Sequence, residues 1–212
     1  MYFFVYNTIS QMTQTKEKFK KLEVPYFSQL DNDTAYHGPG YRQCNLTSCS
    51  MFLAFLRPDL VEKAKSEGYS EFESMYGKIL DKYGDTTDHQ ANTRALQYFE
   101  VDTYFSYTLS IDELIECLQA GYPVVMGMAY KGSGHMVVAT GFDLDKQKIF
   151  IHDPYGIRDG AGNTYQVGVK AAYDPYSFDL LRKIWVDMGE QAGWGRVTVS
   201  VKGKPTGLPQ NL

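Results

Sequence analysis

A change in residue pattern near the middle of the chain limits the folds that this sequence can adopt. Before Gly121, apolar residues recur at the three-and-four spacing of helices, and 70–73 and 110–113 have the sequence of capping boxes. Three later segments are rich in valine, methionine and isoleucine and predict strands: 122–130, 134–142 and 148–153. The polar turn 143–146 predicts that the last two strands form an antiparallel hairpin. Helices packed on a central antiparallel sheet indicate an α+β fold.

Length and composition predict one folded domain. The chain has 212 residues, of which 43% are hydrophobic, enough to bury a core. We expect an N-terminal arm at 1–21, a domain at 22–202 and a short tail at 203–212. The first twelve residues lack the basic start, apolar run and cleavage site of a signal peptide, and no stretch is long enough to span a bilayer. These features predict a soluble protein and leave its compartment open.

Charge and cysteine content argue against several classes of protein. A net charge of −4 without a basic cluster argues against nucleic acid or an anionic membrane as partner and favours a peptide-like or small one. Three cysteines without regular spacing do not indicate a disulfide framework. Asp31-Asn32-Asp33 lacks the glycine and distant glutamate of a calcium loop, so no metal or other cofactor is expected.

The stretch 42–53 is the strongest candidate for a chemical site. It predicts a loop that delivers Cys44 to the start of a helix with one buried apolar stripe. Unpaired backbone N–H groups at a helix start favour a thiolate, so Cys44, placed just outside the helix, is expected to be a nucleophile. Cys49 lies on the apolar stripe and is expected to point into the core.

A cysteine nucleophile requires a base, and the chain offers four histidines: His37, His89, His135 and His152. A lone histidine at a strand start is more often a surface or capping residue, but His135 has Asp153 within reach. We predict an odd-numbered hairpin loop, for example 143–145, which places His135 directly opposite Asp153 on one sheet face, whereas an even loop would separate them. His152 points to the other face and is the weaker candidate.

Four short segments carry a family resemblance: Val24-Pro25-Tyr26-Phe27-Ser28-Gln29, Cys44-Asn45-Leu46-Thr47-Ser48, Gly134-His135-Met136-Val137-Val138 with Gly141, and Asp153-Pro154-Tyr155-Gly156. Together they resemble the bacteriocin-processing (double-glycine leader) cysteine peptidase family and its stand-alone relatives. The segment 177–185 resembles the helix that these relatives place before their last strand. The resemblance covers most of 24–201 and implies a papain-like cysteine peptidase fold.

This resemblance implies that Cys44 is the nucleophile, His135 the base, Asp153 the acid that orients the imidazole and Gln29 the oxyanion donor. The transition state of acyl transfer carries negative charge on the carbonyl oxygen, which a side-chain amide and the Cys44 N–H are suited to receive. Asp153 would fix the imidazole tautomer. Gln43 is the rival donor, but its place beside the nucleophile favours a solvent-facing side chain.

Two features depart from the family pattern, and three functions stay open. Asn45 replaces a glycine that many members have after the nucleophile, and a polar loop between Gln29 and Cys44 is expected to border the cleft. The first function is a cysteine peptidase that acts through an acyl-thioester on Cys44. The second uses the same triad on peptidoglycan cross-links or for acyl transfer to an amine. The third, a catalytically silent binding module, is disfavoured because all four catalytic residue types are present.

Overall fold

The computed structural model describes residues 17–32, 37–160, 162 and 164–210. Within them the chain forms a 3-10 turn at Gly40–Arg42 and six α-helices: α1 (Cys44–Leu56), α2 (Pro58–Ser66), α3 (Phe72–Leu80), α4 (His89–Tyr98), α5 (Ile111–Gln119) and α6 (Phe178–Ile184). It also forms ten strands: β1 (Phe19–Lys21), β2 (Val101–Leu109), β3 (Val124–Tyr130), β4 (Ser133–Asp143), β5 (Lys148–Asp153), β6 (Gly156–Arg158), β7 (Tyr165–Val167), β8 (Ala171–Ser177), β9 (Gly193–Val201) and β10 (Lys204–Pro205).

Eight of these strands form one antiparallel sheet. Its main path runs β10-β9-β3-β4-β5-β8, with β2 paired to β9 and β1 paired to β4. Strands β6 and β7 form a separate hairpin. The predicted α+β fold is confirmed, but the sheet is larger than the sequence pattern indicated, because β1, β8 and β10 were not predicted.

Helix α1 is the central helix of the fold. Residues 45–54 are all buried, because α2, α3 and α4 pack on one side and β3 and β4 on the other. The prediction of a single buried stripe is therefore wrong. Polar side chains are tolerated there because they bond locally: the Ser48 hydroxyl donates to the Met136 carbonyl and the Ser50 hydroxyl to the Leu46 carbonyl.

Capping side chains mark the starts of α5 and α6. Ser110 forms the predicted capping box at the start of α5, and the Ser177 hydroxyl caps α6. The predicted box at 70–73 does not form. Helix α3 starts one residue later than that pattern requires, with Glu71 as its N-cap and no side-chain cap bond.

Strands form in both segments that were predicted to flank the domain, the N-terminal arm and the C-terminal tail. β1 lies within the expected arm 1–21, whose first sixteen residues are outside the described part of the chain, and it pairs with β4. β10 lies within the expected tail 203–212 and pairs with β9. The sheet therefore includes residues from both extensions. None of the described helices is long and apolar enough to cross a membrane.

The β4–β5 hairpin contains a bulge at Thr140. Phe142 pairs with Ile149 next to the turn, whereas Val138 pairs with His152 beyond the bulge. The register therefore changes by one residue between the two pairs. Every side chain of β4 before Thr140 consequently faces the side opposite to the one that an unbroken ladder would give it.

The prediction that His135 lies directly opposite Asp153 is wrong. The turn 144–147 has four residues, an even number, because Asp143 pairs with Lys148. An even turn alone would place the two side chains on opposite faces. The bulge reverses this outcome, and continuing the register beyond it puts Val137 beside Asp153 and His135 one diagonal step away on the same face.

Candidate active site

A cleft of about 510 Å³ lies where the start of α1 meets the sheet. Its lining consists of ten residues: Gln29, Tyr41, Arg42, Cys44, Thr87, Tyr130, Ser133, Gly134, His135 and Tyr155. Three of the four predicted site residues, Gln29, Cys44 and His135, are among them. The fourth, Asp153, is completely buried behind His135. The structure therefore brings all four side chains to one place.

Cys44 is the first residue of α1 and not, as predicted, a residue just outside the helix. Its backbone N–H belongs to the first turn and so has no acceptor within the helix. The thiol is partly exposed to the cleft. This position combines access for a substrate with the partial positive charge of a helix start.

His135 and Cys44 line the same cleft, and the two groups shift each other's pKa. Burial raises the pKa of Cys44, but the hydrogen bond and charge of His135, with the Met136 N–H, outweigh burial and lower it. Burial lowers the pKa of His135, but the charge and hydrogen bond of Asp153, with the Cys44 contact, raise it to about 10. Both shifts favour the thiolate–imidazolium pair over the neutral pair.

Asp153 holds the far side of the His135 ring. The Nε2 atom of His135 lies 2.7 Å from Oδ1 of Asp153, which also accepts the Tyr155 N–H at 2.9 Å. Because Nε2 faces Asp153, Nδ1 is the ring nitrogen available to the thiol. The Tyr26 hydroxyl donates to the Asp153 carbonyl at 3.0 Å, so the early segment 24–29 supports the end of β5.

Gln29 is completely buried at the floor of the cleft. Its Nε2 donates to the Gly40 carbonyl at 2.9 Å, and its backbone N–H donates to the Pro154 carbonyl. A Cβ at Gly40 would lie 2.1 Å from the Gln29 carbonyl oxygen, so this close approach requires glycine. One amide hydrogen of Gln29 is thus used to orient the group, and the second remains for a ligand in the cleft.

Gln43 points away from the cleft, as expected, but it does not face solvent. Its side chain is buried, accepts a hydrogen bond from Asn32 at 3.0 Å and donates to the Gly38 carbonyl. Asn32 also donates to the Thr47 hydroxyl at 2.7 Å. Gln43 therefore anchors the polar loop to α1, which is a structural role that the sequence pattern did not predict.

The other histidines occupy different surroundings. His152 is completely buried, accepts the Tyr173 N–H and contacts the Val24 carbonyl through Nε2, as expected for a packed sheet histidine. His37 is buried against the Gly77 carbonyl. His89 stacks on Phe105 with ring centroids 3.7 Å apart. Among the four, His135 is the histidine that lines the cleft together with Cys44.

The remaining thiols lack the features of Cys44. Cys49 is buried in the core, as predicted, and burial raises its pKa in spite of the nearby Arg196. Burial also raises the pKa of Cys117 to about 12, and Glu116 and Glu113 add to this effect. Neither thiol lines the cleft.

Sequence reasoning missed an aromatic cluster around the imidazole. The rings of Tyr130, Tyr155 and Tyr165 have centroids 5.9, 6.0 and 5.7 Å from that of His135. Tyr155 belongs to the segment Asp153-Pro154-Tyr155-Gly156, which carried part of the family resemblance. Tyr130 and Tyr165 come from separate strands, so local sequence contained no signal for their convergence.

Asn45, one of the two departures from the family pattern, connects α1 to the loop between α3 and α4. Its Nδ2 donates to the Thr86 carbonyl at 2.6 Å, and its Oδ1 is within 3.6 Å of the Cys49 sulfur. Thr87, the next residue of that loop, lines the cleft. Asn45 thus has a defined structural partner on the cleft's edge.

An α+β fold in which a helix-start cysteine meets a histidine–carboxylate pair on an antiparallel sheet defines a papain-like cysteine peptidase fold. The sequence profile of the Peptidase_C39-like family matches residues 21–192, and the chain belongs to this family. No curated protein sequence matches the chain significantly.

Three solved structures resemble the chain. The first is the peptidase domain of Streptococcus ComA, a bi-functional ABC transporter involved in quorum sensing, with 16% identity, a TM-score of 0.44 and coverage of 74% of this chain and 91% of that one. The second is a double glycine motif protease from an AMS/PCAT transporter in complex with the leader peptide. It has 12% identity and a TM-score of 0.46, and the match covers 84% of this chain and 92% of that one. The third is xylellain, a cysteine protease from Xylella fastidiosa. It has 18% identity and a TM-score of 0.47, and the match covers 87% of each chain.

Proposed function

We propose that this protein is a cysteine peptidase that hydrolyses a peptide or peptide-like amide through an acyl-thioester on Cys44. The observation that carries the proposal is that Cys44 shares an open cleft with His135, whose ring is hydrogen bonded to the buried carboxylate of Asp153. A thiol that served only in packing would not need an imidazole held by a carboxylate. Membership of a peptidase family supports the same reading.

In the acylation step, the Cys44 thiolate attacks the carbonyl carbon and the C=O electron pair moves to oxygen. The Cys44 N–H and the second amide hydrogen of Gln29 stabilise this oxyanion. The His135 imidazolium then gives its Nδ1 proton to the amide nitrogen, the C–N bond breaks and the amine leaves. Asp153 holds the ring so that Nδ1 faces the reacting atoms.

In the deacylation step, water attacks the thioester carbon while neutral His135 accepts a water proton. The second tetrahedral intermediate collapses, the C–S bond breaks, and the carboxylic acid product leaves. The thiolate and the imidazolium are then restored together. An amine in place of water would give acyl transfer through the same steps, so the nucleophile that enters the cleft decides between hydrolysis and transfer.

The cleft is suited to an extended peptide-like chain. Its described lining includes three tyrosines and the guanidinium of Arg42, and it includes no aspartate or glutamate. Arg42 is held by Asp85 at 3.1 Å and by the His37 carbonyl. Aromatic and hydrogen-bonding groups of this kind recognise amide planes and side chains of a peptide substrate.

The test combines a thiol-directed activity-based probe with substrate profiling. The probe is expected to label Cys44 in the native protein, and peptide libraries and intact cell-wall fragments are then screened by mass spectrometry for new termini. Incorporation of ¹⁸O from labelled water into the product identifies hydrolysis, and a new amide without ¹⁸O identifies transfer.

Cys44→Ala and Cys117→Ala form the matched pair for this experiment. Cys44→Ala removes the proposed nucleophile, whereas Cys117→Ala removes a buried thiol of α5 that lies away from the cleft. Product formation that disappears with the first variant and persists with the second supports the proposal. If the native protein shows neither probe labelling nor any product, the result would contradict the proposal and favour a catalytically silent binding module.

A further inference from the structure

The second oxygen of the Asp153 carboxylate lies in a buried polar cluster. Whereas Oδ1 contacts His135 and the Tyr155 N–H, Oδ2 is buried and has no hydrogen-bond partner within the described chain. A buried carboxylate oxygen without a donor is costly, so such an atom calls for a nearby donor.

Two phenols and two carboxyl groups make up this cluster. The Tyr165 and Tyr176 hydroxyls and the Asp174 Oδ2 are also buried without a partner in the described residues. All of them are electrostatically coupled: Tyr165 to Asp153, Tyr176 to both aspartates, and Asp174 to Asp153. Two donors thus stand beside two acceptors, and small rotations of the phenols would pair them.

The β6–β7 hairpin delivers the phenol of Tyr165 to this cluster. Tyr165 pairs directly with Arg158 in the hairpin register, and Arg158 donates to the Ala129 carbonyl at 2.9 Å, which anchors the hairpin to β3. The Tyr165 ring packs against His135, and its hydroxyl interacts with both the Asp153 carboxylate and the Arg158 guanidinium. Tyr165 therefore packs its ring against the imidazole, and its buried hydroxyl belongs to the same polar cluster as the carboxylate.

We infer that Tyr165 is a positioning residue, whose hydroxyl donates to Oδ2 of Asp153 and so keeps Oδ1 directed at Nε2 of His135. This inference rests on the proposed catalytic roles of Cys44, His135 and Asp153. With one oxygen held by Tyr165 and the other by the Tyr155 N–H, the carboxylate cannot rotate away from the ring. Imidazolium formation, and with it the Cys44 thiolate, then depends on a hydroxyl that never touches substrate.

The test measures Cys44 alkylation by iodoacetamide from pH 4 to 9, with Tyr165→Phe compared against Tyr173→Phe. Tyr173 is a matched control because its hydroxyl donates to the Leu22 carbonyl and its ring contacts His152, not His135. Tyr165→Phe is expected to move the acid limb of the rate profile to higher pH by about one unit, the effect of losing one hydrogen bond to a charged group. Tyr173→Phe is expected to lower the melting temperature and leave the limb in place.

The outcomes separate this inference from the proposed function. If Cys44 of the wild-type protein reacts no faster than Cys117, the proposed function itself is contradicted. A fast Cys44 that depends on His135 but has the same acid limb in Tyr165→Phe as in wild type overturns only the positioning role. If Tyr165→Phe does not fold, a crystal structure of the wild-type protein decides. A distance from the Tyr165 hydroxyl to Oδ2 above about 3.5 Å rejects the inference, and a shorter one supports it.

Discussion

Nε2 of His135 lies 2.7 Å from Oδ1 of Asp153, although these two residues do not face each other in the β4–β5 ladder. The bulge at Thr140 makes the contact possible because it compensates for the even-numbered turn. The extra residue is well bonded: the Thr140 hydroxyl donates to the Phe150 carbonyl at 3.0 Å, and its own carbonyl accepts the Leu22 N–H at 2.7 Å. The geometry of the candidate site thus depends on a strand irregularity outside the cleft.

The reactivity of the three thiols provides the first prediction. Cys44 is expected to react with iodoacetamide at pH 6 to 7 far faster than Cys49 or Cys117, because its pKa is lowered and theirs are raised. His135→Ala is expected to slow the Cys44 reaction and leave the other two unchanged. Peptide-resolved mass spectrometry of a short time course measures all three rates. Equal labelling of the three thiols would contradict the ion pair.

The residue types of the site were predictable from sequence because each one lies next to a local signal. Cys44 lies at the start of a predicted helix, and His135 and Asp153 lie near the start and at the end of predicted strands. Local patterns with periods of two and 3.6 residues carry this information. These patterns assign the reactive residues to helices and strands, but they do not determine the distances between those helices and strands.

The parts that sequence reasoning missed depend on tertiary structure. Whether α1 is buried on one side or all round is decided by layers that come from distant segments, and the burial of Gln43 follows from its contact with Asn32. The bulge at Thr140 is a one-residue irregularity that no composition signal marks. Tyr165 meets the site only because the β6–β7 hairpin folds back onto β3.

The second prediction concerns the oxyanion donor. Gln29→Ala is expected to lower kcat by about 10²–10³ with little change in KM, as the loss of one donor to a transition state does. Gln43→Ala is the matched variant. It leaves the Asn32 amide with one acceptor fewer, so it is expected to reduce the free energy of unfolding by about 1–3 kcal/mol and to keep kcat.

Steady-state kinetics and urea unfolding of both glutamine variants check this assignment. A large fall in kcat for Gln43→Ala together with unchanged kcat for Gln29→Ala would transfer the donor role to Gln43. A similar fall in both would point to the Gly40 carbonyl, which accepts hydrogen bonds from the Gln29 side chain and from the Gln43 backbone N–H.

The third prediction is a change in pH dependence on loss of the carboxylate. The charge and hydrogen bond of Asp153 overcome burial and raise the pKa of His135 to about 10, and the acylation step requires the protonated ring. Asp153→Asn is therefore expected to move the basic limb of kcat/KM to lower pH by about one to three units. Asp143→Asn, at the other end of β4, is the control. An unmoved basic limb in Asp153→Asn would mean that the carboxylate does not support the imidazolium.

The last prediction concerns Glu73, a buried carboxyl of α3 that does not line the cleft. Burial raises its pKa to about 8 against the effect of its own N–H, and Glu71 and Asp31 raise it further. An unfolded glutamate titrates near pH 4.3, so between about pH 4.3 and pH 8 the native state holds a proton that the unfolded state has released. The free energy of unfolding is therefore expected to fall as pH rises through this window and to level off above it. Glu73→Gln cannot ionise and is expected to be more stable than wild type at pH 8, by on the order of 5 kcal/mol, but not at pH 4. Urea unfolding of Glu73→Gln and of the exposed control Glu62→Gln across this range measures the difference, and identical pH slopes for wild type and Glu73→Gln would show that Glu73 titrates normally in the native state.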